Sequence, residues 1–152
     1  MAGPPADQLE AEIRRLVKLY DTRAWDSFEN EIHPEFEFHS EIMSMVRGPG
    51  SGRRVYHGLA GLKEWTDDID DALEETHIET VAVEALGPAA ALELARLVAR
   101  GRGSGVPVSL DFARVWEFEE GRVRRIRSYR EVEEGRRAAE ELRDAPGEVS
   151  GP

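Results

Sequence analysis

The chain has 152 residues, of which 40% are hydrophobic and 34% charged, a composition typical of one soluble domain with a single hydrophobic core. Its 31 acidic and 20 basic residues give a net charge of −11, which disfavours binding to nucleic-acid phosphates and anionic membrane surfaces. The absence of cysteine excludes disulfide bonds, thiolate nucleophiles and thiolate metal sites.

The sequence begins with two predicted helices. Apolar residues recur at helical spacing from Leu9 to Tyr20, and Asp7 is in position to cap the start of this helix. A second, short helix is predicted to begin at Asp26 and to end before Pro34, because proline cannot continue a helix.

A strand, a loop and a third helix follow. Phe36, Phe38 and Ser40 alternate with polar residues, which is typical of a strand with one buried face. Glycine and proline in residues 48–54 predict a loop. From residue 58 to residue 73, apolar residues return at intervals of three and four, which predicts a longer helix.

The second half of the chain is dominated by β-structure. Short turns separate four strand-like segments, so consecutive strands should pair antiparallel. The segments are residues 76–86, 90–100, 106–118 and 122–132. Residues 133–143 are predicted to be a polar or frayed helix. We predict one domain over residues 7–143, with disordered ends at residues 1–6 and 144–152.

This order of elements predicts an α+β fold, in which a curved antiparallel sheet wraps around N-terminal helices to form a cone. A concave apolar cavity is the usual place for a small-molecule site.

Two segments carry a resemblance to a known family. They are residues 56–65, YHGLAGLKEW, and residues 112–123, FARVWEFEEGRV. With the order of elements, they resemble the SnoaL-like branch of the nuclear transport factor 2-like (NTF2-like) superfamily, over about residues 9–139. The resemblance implies the cystatin-like cone. Its members include polyketide cyclases, ketosteroid isomerases, dehydratases, epoxide hydrolases and proteins of no known activity, so the fold alone does not define the reaction.

The resemblance implies that Arg114 faces the inside of the cone. By alternation, the residues on the same side would be Phe112, Trp116 and Phe118 on that strand and Leu92, Leu94, Arg96 and Val98 on the strand before it. A guanidinium group in such surroundings either pairs with a carboxylate or donates hydrogen bonds to an oxygen of a ligand.

The positions that match the family's proton-transfer residues hold other residue types. Ser40 stands where an isomerase has its general base, and Ser128 and Ile126 stand where a cyclase has aspartate and histidine. Leu16 matches the isomerase's oxyanion tyrosine, although Tyr20 lies one turn further on the same helix face. Proton abstraction from carbon needs a base within hydrogen-bond reach, so the resemblance implies the fold more firmly than it implies a reaction.

The candidate catalytic residues are His57, Arg114 and Tyr20. The candidate ligand-binding residues are Tyr20, Phe38, Ser40, Tyr56, Trp65, Arg96, Phe112, Arg114, Trp116 and Ser128. The aromatic candidates either line a cavity or fill it. We predict no cofactor and no metal site, because none of the four histidines forms the i, i+4 pair that flanks a glutamate in zinc helices.

The sequence also bears on location and partners. Residues 1–7 lack the basic start and apolar run of a signal peptide, and residues 85–95, the least polar stretch, are far shorter than a membrane span. We therefore expect a cytoplasmic protein without nucleic-acid or membrane partners. Eight acidic residues and no lysine or arginine lie in residues 67–84, whereas five arginines lie in residues 122–130. This asymmetry fits self-association and a solvated charged surface equally well. The family resemblance implies a homodimer through the outer face of the sheet, including Val115, Arg127 and Tyr129.

Two functions remain open at this stage. In the first, the protein binds a small, mostly apolar, oxygen-bearing molecule beside Arg114, with or without isomerase, cyclase, lyase or hydrolase activity. In the second, it is a non-catalytic homodimeric module whose cone is filled by side chains.

Overall fold

The computed structural model of the protein describes residues 6–42 and 54–144. In these ranges the helices are α1 (Ala6–Asp21), α2 (Trp25–Glu29), α3 (Gly58–Ala72) and α4 (Val132–Asp144). The strands are β1 (Ile32–Ser40), β2 (Arg54–His57), β3 (Leu73–Ala85), β4 (Ala90–Gly101), β5 (Pro107–Glu119) and β6 (Arg122–Tyr129). This is the α+β arrangement that the sequence predicts.

The strands form one sheet in the order β2-β1-β6-β5-β4-β3. The predicted antiparallel pairing of β3, β4, β5 and β6 is confirmed. The sequence does not predict two features, the short strand β2 and the parallel pairing of β1 with β6. The parallel pair places the first strand beside the last, so the predicted strand of Phe36 and Phe38 lies next to the middle of the sheet.

The main core lies between the concave face of the sheet and the apolar faces of α1 and α3. Ile13 and Leu16 of α1 and Ile69 of α3 are fully buried. Burial of each such side chain is worth about 1.5–3 kcal/mol. The helical periodicity of these segments therefore sets which helix faces pack on the sheet.

Helix α4 packs on the outer, convex face of the sheet. Its Ala139 is buried against Leu92, Ala113 and Val115 of β4 and β5. Gly135 is required there, because a Cβ atom at this position would lie 2.5 Å from the Cβ of Ala113. The predicted polar or frayed helix is therefore an integral layer of the fold.

This packing corrects part of the predicted dimer surface. Val115 is fully buried beneath α4 within the same chain, so it is not available to a second copy. Three arginines of β6 are paired with acidic residues of the same chain: Arg124 with Glu35 and Glu119, and Arg127 and Arg125 with Glu117 at 3.3 and 3.7 Å. Without Val115, the predicted homodimer surface is limited to the part of the outer face around Arg127 and Tyr129.

Several predicted boundaries differ from the structure. Helix α1 begins at Ala6, before the predicted cap Asp7, and α2 begins at Trp25, with Ala24 as its N-cap and no side-chain cap. Pro34 lies inside β1, so α2 ends several residues before it. The predicted loop, residues 48–54, lies outside the described residues except for Arg54, which begins β2. The predicted disordered ends, residues 1–6 and 144–152, also lie outside them except for Ala6 and Asp144, which belong to α1 and α4. None of the helices within the described ranges has the length and apolar character needed to cross a membrane.

Candidate functional site

A small cavity lies in the cone between the concave face of the sheet and the helices. Its lining residues are Leu16, Val17, Tyr20, Phe28, Phe38, Leu62, Trp65, Arg114, Trp116 and Ile126. The cavity volume is about 20 Å³, which is enough for roughly one water molecule. Side chains therefore nearly fill the cone, and nine of the ten lining residues are apolar or aromatic.

Arg114 is the charged residue of this lining, and it faces inward, as the family resemblance implies. Only 6% of the residue is exposed. Directly opposite it on β4 lies Glu93, which is fully buried. Arg114 Nε donates to Glu93 Oε1 at 2.7 Å and Nη2 donates to Oε2 at 3.1 Å. The two charges thus compensate each other inside the core, as a buried guanidinium group requires.

Glu93 has no hydrogen-bonding capacity to spare. Besides its two bonds from Arg114, it accepts a bond from Trp116 Nε1 at 2.8 Å and one from Thr80 Oγ1 at 2.6 Å. An ionised carboxylate offers about four acceptor sites, and all four are in use. Glu93 therefore positions Arg114 and is poorly placed to accept a proton from a ligand.

Arg114 retains donors that Glu93 does not occupy. Its hydrogen bonds within the described chain use Nε and Nη2, and none of them uses Nη1. The guanidinium carbon lies 5.5 Å from the ring centre of Phe112 and 5.4 Å from that of Trp116. These rings hold the group in place by cation–π attraction while the Nη1 edge remains available.

Aromatic side chains build the opposite wall of the cavity. The ring centres of Tyr20 and Trp65 lie 5.9 Å apart, and those of Phe38 and Trp65 lie 5.0 Å apart in an edge-to-face arrangement. Trp65 Nε1 donates to Ser40 Oγ at 3.0 Å, so the indole is fixed in orientation. The Tyr20 hydroxyl lies 2.9 Å from Thr66 Oγ1. Burial raises the pKa of Tyr20 to about 12, so this phenol is a neutral group at physiological pH.

The structure brings five of the predicted site residues together around the cavity. They are Tyr20, Phe38, Trp65, Arg114 and Trp116. Four others are buried in the surrounding core without lining the cavity, namely Ser40, Tyr56, Phe112 and Ser128. The Ser128 hydroxyl is buried opposite Arg114 and has no hydrogen-bond partner among the described residues.

His57 and Arg96 lie away from the cavity. His57 ends β2 and is exposed, so the structure gives it no contact with the cavity lining. Arg96 was predicted to face inward, and this prediction is wrong, because its side chain is 43% exposed and donates to Asp111 Oδ1 at 2.8 Å.

The error at Arg96 extends along the whole of β4. The residues of β4 that join the main core are Ala91, Ala95, Leu97 and Ala99, with Glu93 between them. Leu92, predicted to face inward, packs instead beneath α4, and Leu94 and Val98 alternate with it. A shift of one residue moves every side chain to the opposite face. The alternation was ambiguous because α4 buries the outer face of β4 as well.

Glu93 is the main residue that the sequence analysis missed. It is the one acidic residue in the least polar stretch of the chain, and it follows Ala91 at the spacing of one strand face. That isolation was the available signal. Val17, Phe28 and Leu62 were also missed as lining residues, because a cavity wall and a filled core have the same apolar pattern.

Among the residues that the structure describes, the side chains of His33, Glu119 and Glu120 lie close enough together to offer three metal-ligand atoms. The backbone N–H of Glu35 donates to His33 Nδ1 at 3.0 Å, so the proton of the neutral imidazole lies on Nε2. Nε2 is the atom that faces the carboxylates, at 3.6 and 3.9 Å. A metal ion would need a lone pair on Nε2, and this tautomer does not provide one.

Comparisons with known proteins agree with this architecture. Residues 13–126 match the family model of a SnoaL-like domain. TerC, crystallised with polyporic acid, is similar at a TM-score of 0.64 with 18% identity, over 84% of this chain and 95% of TerC. An NTF2-like protein of unknown function from Burkholderia pseudomallei has a TM-score of 0.63 and 17% identity, over 82% of this chain and 92% of its own.

A third similar structure is a protein with the ketosteroid isomerase-like fold from Catenulispora acidiphila, in complex with trimethylamine. Its TM-score is 0.58 at 12% identity, over 75% of this chain and 83% of its own. At such identities the likeness shows the fold alone. No functionally curated protein matches the sequence.

Proposed function

The chain belongs to the SnoaL-like domain family, and on that premise we propose that it binds one small, mostly apolar molecule in its cone. A neutral oxygen of this ligand would accept a hydrogen bond from Nη1 of Arg114. The observation that carries the proposal is a fixed guanidinium group with an unused amino edge in the lining of an aromatic cavity. Two proteins of similar fold were crystallised with small molecules, polyporic acid and trimethylamine, which supports a binding role for this cone.

The charge balance selects the class of ligand. Glu93 already neutralises Arg114, so an anionic ligand would bring an uncompensated negative charge into the core, at a large cost. A neutral carbonyl or hydroxyl oxygen needs only a donor, and Arg114 supplies one. The ligand is therefore predicted to be neutral, with one oxygen on an otherwise apolar, ring-sized body that packs against Tyr20, Trp65 and Phe38.

The same geometry limits the chemistry inside the cone. Ser40 and Ser128 occupy the positions where related enzymes carry acids, and Glu93 is saturated with hydrogen bonds. Arg114 can polarise a carbonyl oxygen, but no base of the described lining stands ready to remove a proton from carbon. We propose binding, with electrophilic assistance by Arg114 as the contribution of the cone to any reaction.

A ligand larger than water enters only if the walls move. The helices α1 and α3 contribute Val17 and Leu62 to the lining, so separation of these helices is the motion that enlarges the cavity. Because Trp65 and Trp116 line the same cavity, ligand entry should change tryptophan fluorescence.

A matched pair of probes tests this proposal. Acetophenone and benzoate have the same shape, but acetophenone is neutral and benzoate is anionic. Acetophenone is expected to quench tryptophan fluorescence saturably and to raise Tm, whereas benzoate is expected to do neither. Replacing Arg114→Met together with Glu93→Gln should weaken acetophenone binding by about tenfold, since a hydrogen bond is worth about 1.4 kcal/mol. Equal binding of both probes, or unchanged binding in the double variant, would contradict the proposal.

The small cavity volume favours a second candidate, the non-catalytic module with a filled cone. In this case the protein would act through association, with a homodimer formed around Arg127 and Tyr129. The wild-type protein should then bind neither probe, while the cavity-enlarging variant Leu62→Ala should bind acetophenone. Sedimentation at micromolar concentration tests the association, and a monomer would contradict this second candidate.

A further inference from the structure

Strand β3 forms one edge of the described sheet. In the strand order, β4 lies on one side of β3 and no described strand lies on the other. A strand at an edge presents a row of backbone N–H and C=O groups that can pair with another chain unless side chains cover them. Strand β3 has 13 residues, and its hydrogen bonds show which part of this edge is covered.

Helix α1 covers the first part of the edge. Arg14 Nη1 donates to the carbonyl oxygen of Thr80 at 2.9 Å, and Asp21 Oδ1 accepts the backbone N–H of Ile78 at 3.3 Å. The backbone groups of Ile78 and Thr80 therefore point away from β4, and those of Glu79 between them point toward it.

A bulge separates this covered part from the rest of the edge. The pairing of β3 with β4 shifts register between Thr80 and Ala82, so β3 contains one extra residue there. Beyond the bulge, the backbone N–H of Leu86 donates to the carbonyl oxygen of Ala90 at 2.9 Å, so the backbone of Leu86 faces β4. This bond sets which residues of the second part face β4 and which face the edge.

The backbone groups of Val83 and Ala85 face the open side of β3. Because the direction alternates along a strand, Ala82 and Glu84 pair with β4, and the residues between and beside them point outward. Two N–H groups and two carbonyl groups thus stand at the edge, and no residue within 6–42 or 54–144 hydrogen-bonds them. An edge of this kind accepts an extended peptide by strand addition, in which main-chain hydrogen bonds supply the affinity.

A pocket opens beside these groups on the outer face of the sheet. Its volume is about 230 Å³, and β3, β4 and α4 all contribute to its walls. Ala82, Leu92 and Leu94 form its apolar part. Glu84 and Arg136 complete the lining, 3.8 Å from each other. Alternate side chains of a strand added to β3 would point to this face, so the pocket has room for one apolar side chain of the added strand.

The charges around this edge select a basic partner. The protein has a net charge of −11, and Glu79 and Glu84 are both exposed on the outer face. Glu84 already has Arg136 and Arg143 at 3.8 and 3.9 Å, so Glu79 is the acid that a basic side chain would meet. A second copy of the chain fits less well, because antiparallel pairing of two β3 strands through Val83 would bring the two like-charged copies of Glu84 opposite each other.

We propose that residues 82–86 of β3 bind an extended, basic peptide segment of another protein, which adds a strand to the sheet. The main chain of this segment pairs with Val83 and Ala85. One apolar side chain enters the pocket beside α4, and a lysine or arginine two residues away lies on the same face, near Glu79. This interaction lies on the outside of the sheet and goes beyond the proposed binding of a small molecule in the cone.

A peptide whose sequence reads the same in both directions tests the interaction. The probe is fluorescein-labelled Thr-Lys-Thr-Leu-Thr-Lys-Thr-amide, and fluorescence anisotropy at low ionic strength should show saturable binding. Replacing both lysines by glutamate should weaken binding by about fivefold, because the added charges are then repelled. N-methylation of the three central residues should abolish binding, since it removes the donors that face β3. Replacing leucine by serine should weaken binding because the pocket is then left unfilled.

A proline substitution tests the edge from the side of the protein. Val83→Pro removes a donor that faces away from β4, and proline is tolerated at such edge positions. It should weaken peptide binding by about fivefold, the effect of one lost hydrogen bond. The matched control Val83→Ala keeps the donor and should bind the peptide as the wild type does. Thermal unfolding of both variants verifies that they fold.

Amide hydrogen exchange measured by NMR reports on the same groups in the unaltered protein. In the free protein, the amides of Val83 and Ala85 should exchange faster than those of Ala82 and Glu84, and the peptide should slow exchange at Val83 and Ala85. Equal affinity for the N-methylated peptide, no saturable binding by the wild type, or equal exchange at all four amides would overturn the proposal. A dimer that Val83→Pro dissociates would assign the edge to a second copy and would also overturn it. Saturating peptide should leave acetophenone binding unchanged, so failure of this inference is distinguishable from failure of ligand binding in the cone.

Discussion

The buried pair of Glu93 and Arg114 makes a quantitative prediction about stability. Replacing Arg114→Met removes two charge-assisted hydrogen bonds, of 2.7 and 3.1 Å, and leaves a fully buried carboxylate without its cation. Breaking one side of a buried ion pair costs about 3–5 kcal/mol. With an m-value of about 2 kcal/mol/M, the midpoint of urea unfolding should fall by about 1.5–2.5 M.

The double variant provides the control. With Arg114→Met and Glu93→Gln together, the charges are gone, while the glutamine can still accept from Trp116 Nε1 and bond the Thr80 hydroxyl. Its loss of stability should be smaller than the sum of the two single losses by about 3 kcal/mol. Urea unfolding monitored by tryptophan fluorescence measures all three variants. Additive losses, or a loss below about 1 kcal/mol for Arg114→Met, would refute a buried and mutually compensated pair.

Three further predictions follow from the packing and the charges. The pKa of the Tyr20 phenol is about 10 in the unfolded chain and about 12 in the folded protein. The free energy of unfolding should therefore fall as the pH rises from about 10 to about 12. Tyr20→Phe should remove the step in tyrosinate absorbance near pH 12. Gly135→Ala should destabilise the protein by about 1–3 kcal/mol by pressing α4 away from Ala113, and the added change Ala113→Gly should recover part of the loss in thermal unfolding. Arg96→Ala should leave Tm and acetophenone binding unchanged, because the Arg96 side chain is exposed on the other face of the sheet. A large decrease in Tm or in acetophenone affinity would instead support an inward orientation of Arg96.

The elements with one buried face could be predicted from the sequence. Helix α1, helix α3 and the alternation of β1 follow from periodicity, and the turns between β3 and β6 predicted the antiparallel order. The inward direction of Arg114, carried by the family resemblance, also agrees with the structure. These features depend on local patterns that a single segment contains.

The features that could not be predicted depend on contacts between segments that are distant in the sequence. Strand β4 is buried on both faces, by the cone inside and by α4 outside, so its alternation carried two consistent interpretations. Strand β2 is only four residues long and pairs with β1 across an intervening segment. The carboxylate that pairs with Arg114 is Glu93, and the two residues come together only because β4 pairs with β5. The cavity volume depends on how the side chains pack, and the spacing of residues in the sequence does not predict this packing.

The most direct test of ligand binding in the cone is a high-resolution crystal structure of the protein soaked with acetophenone. We predict density for the ring between Tyr20 and Trp65, with the carbonyl oxygen about 3 Å from Nη1 of Arg114. A cone that holds only an ordered water molecule, with its walls unmoved, would contradict it.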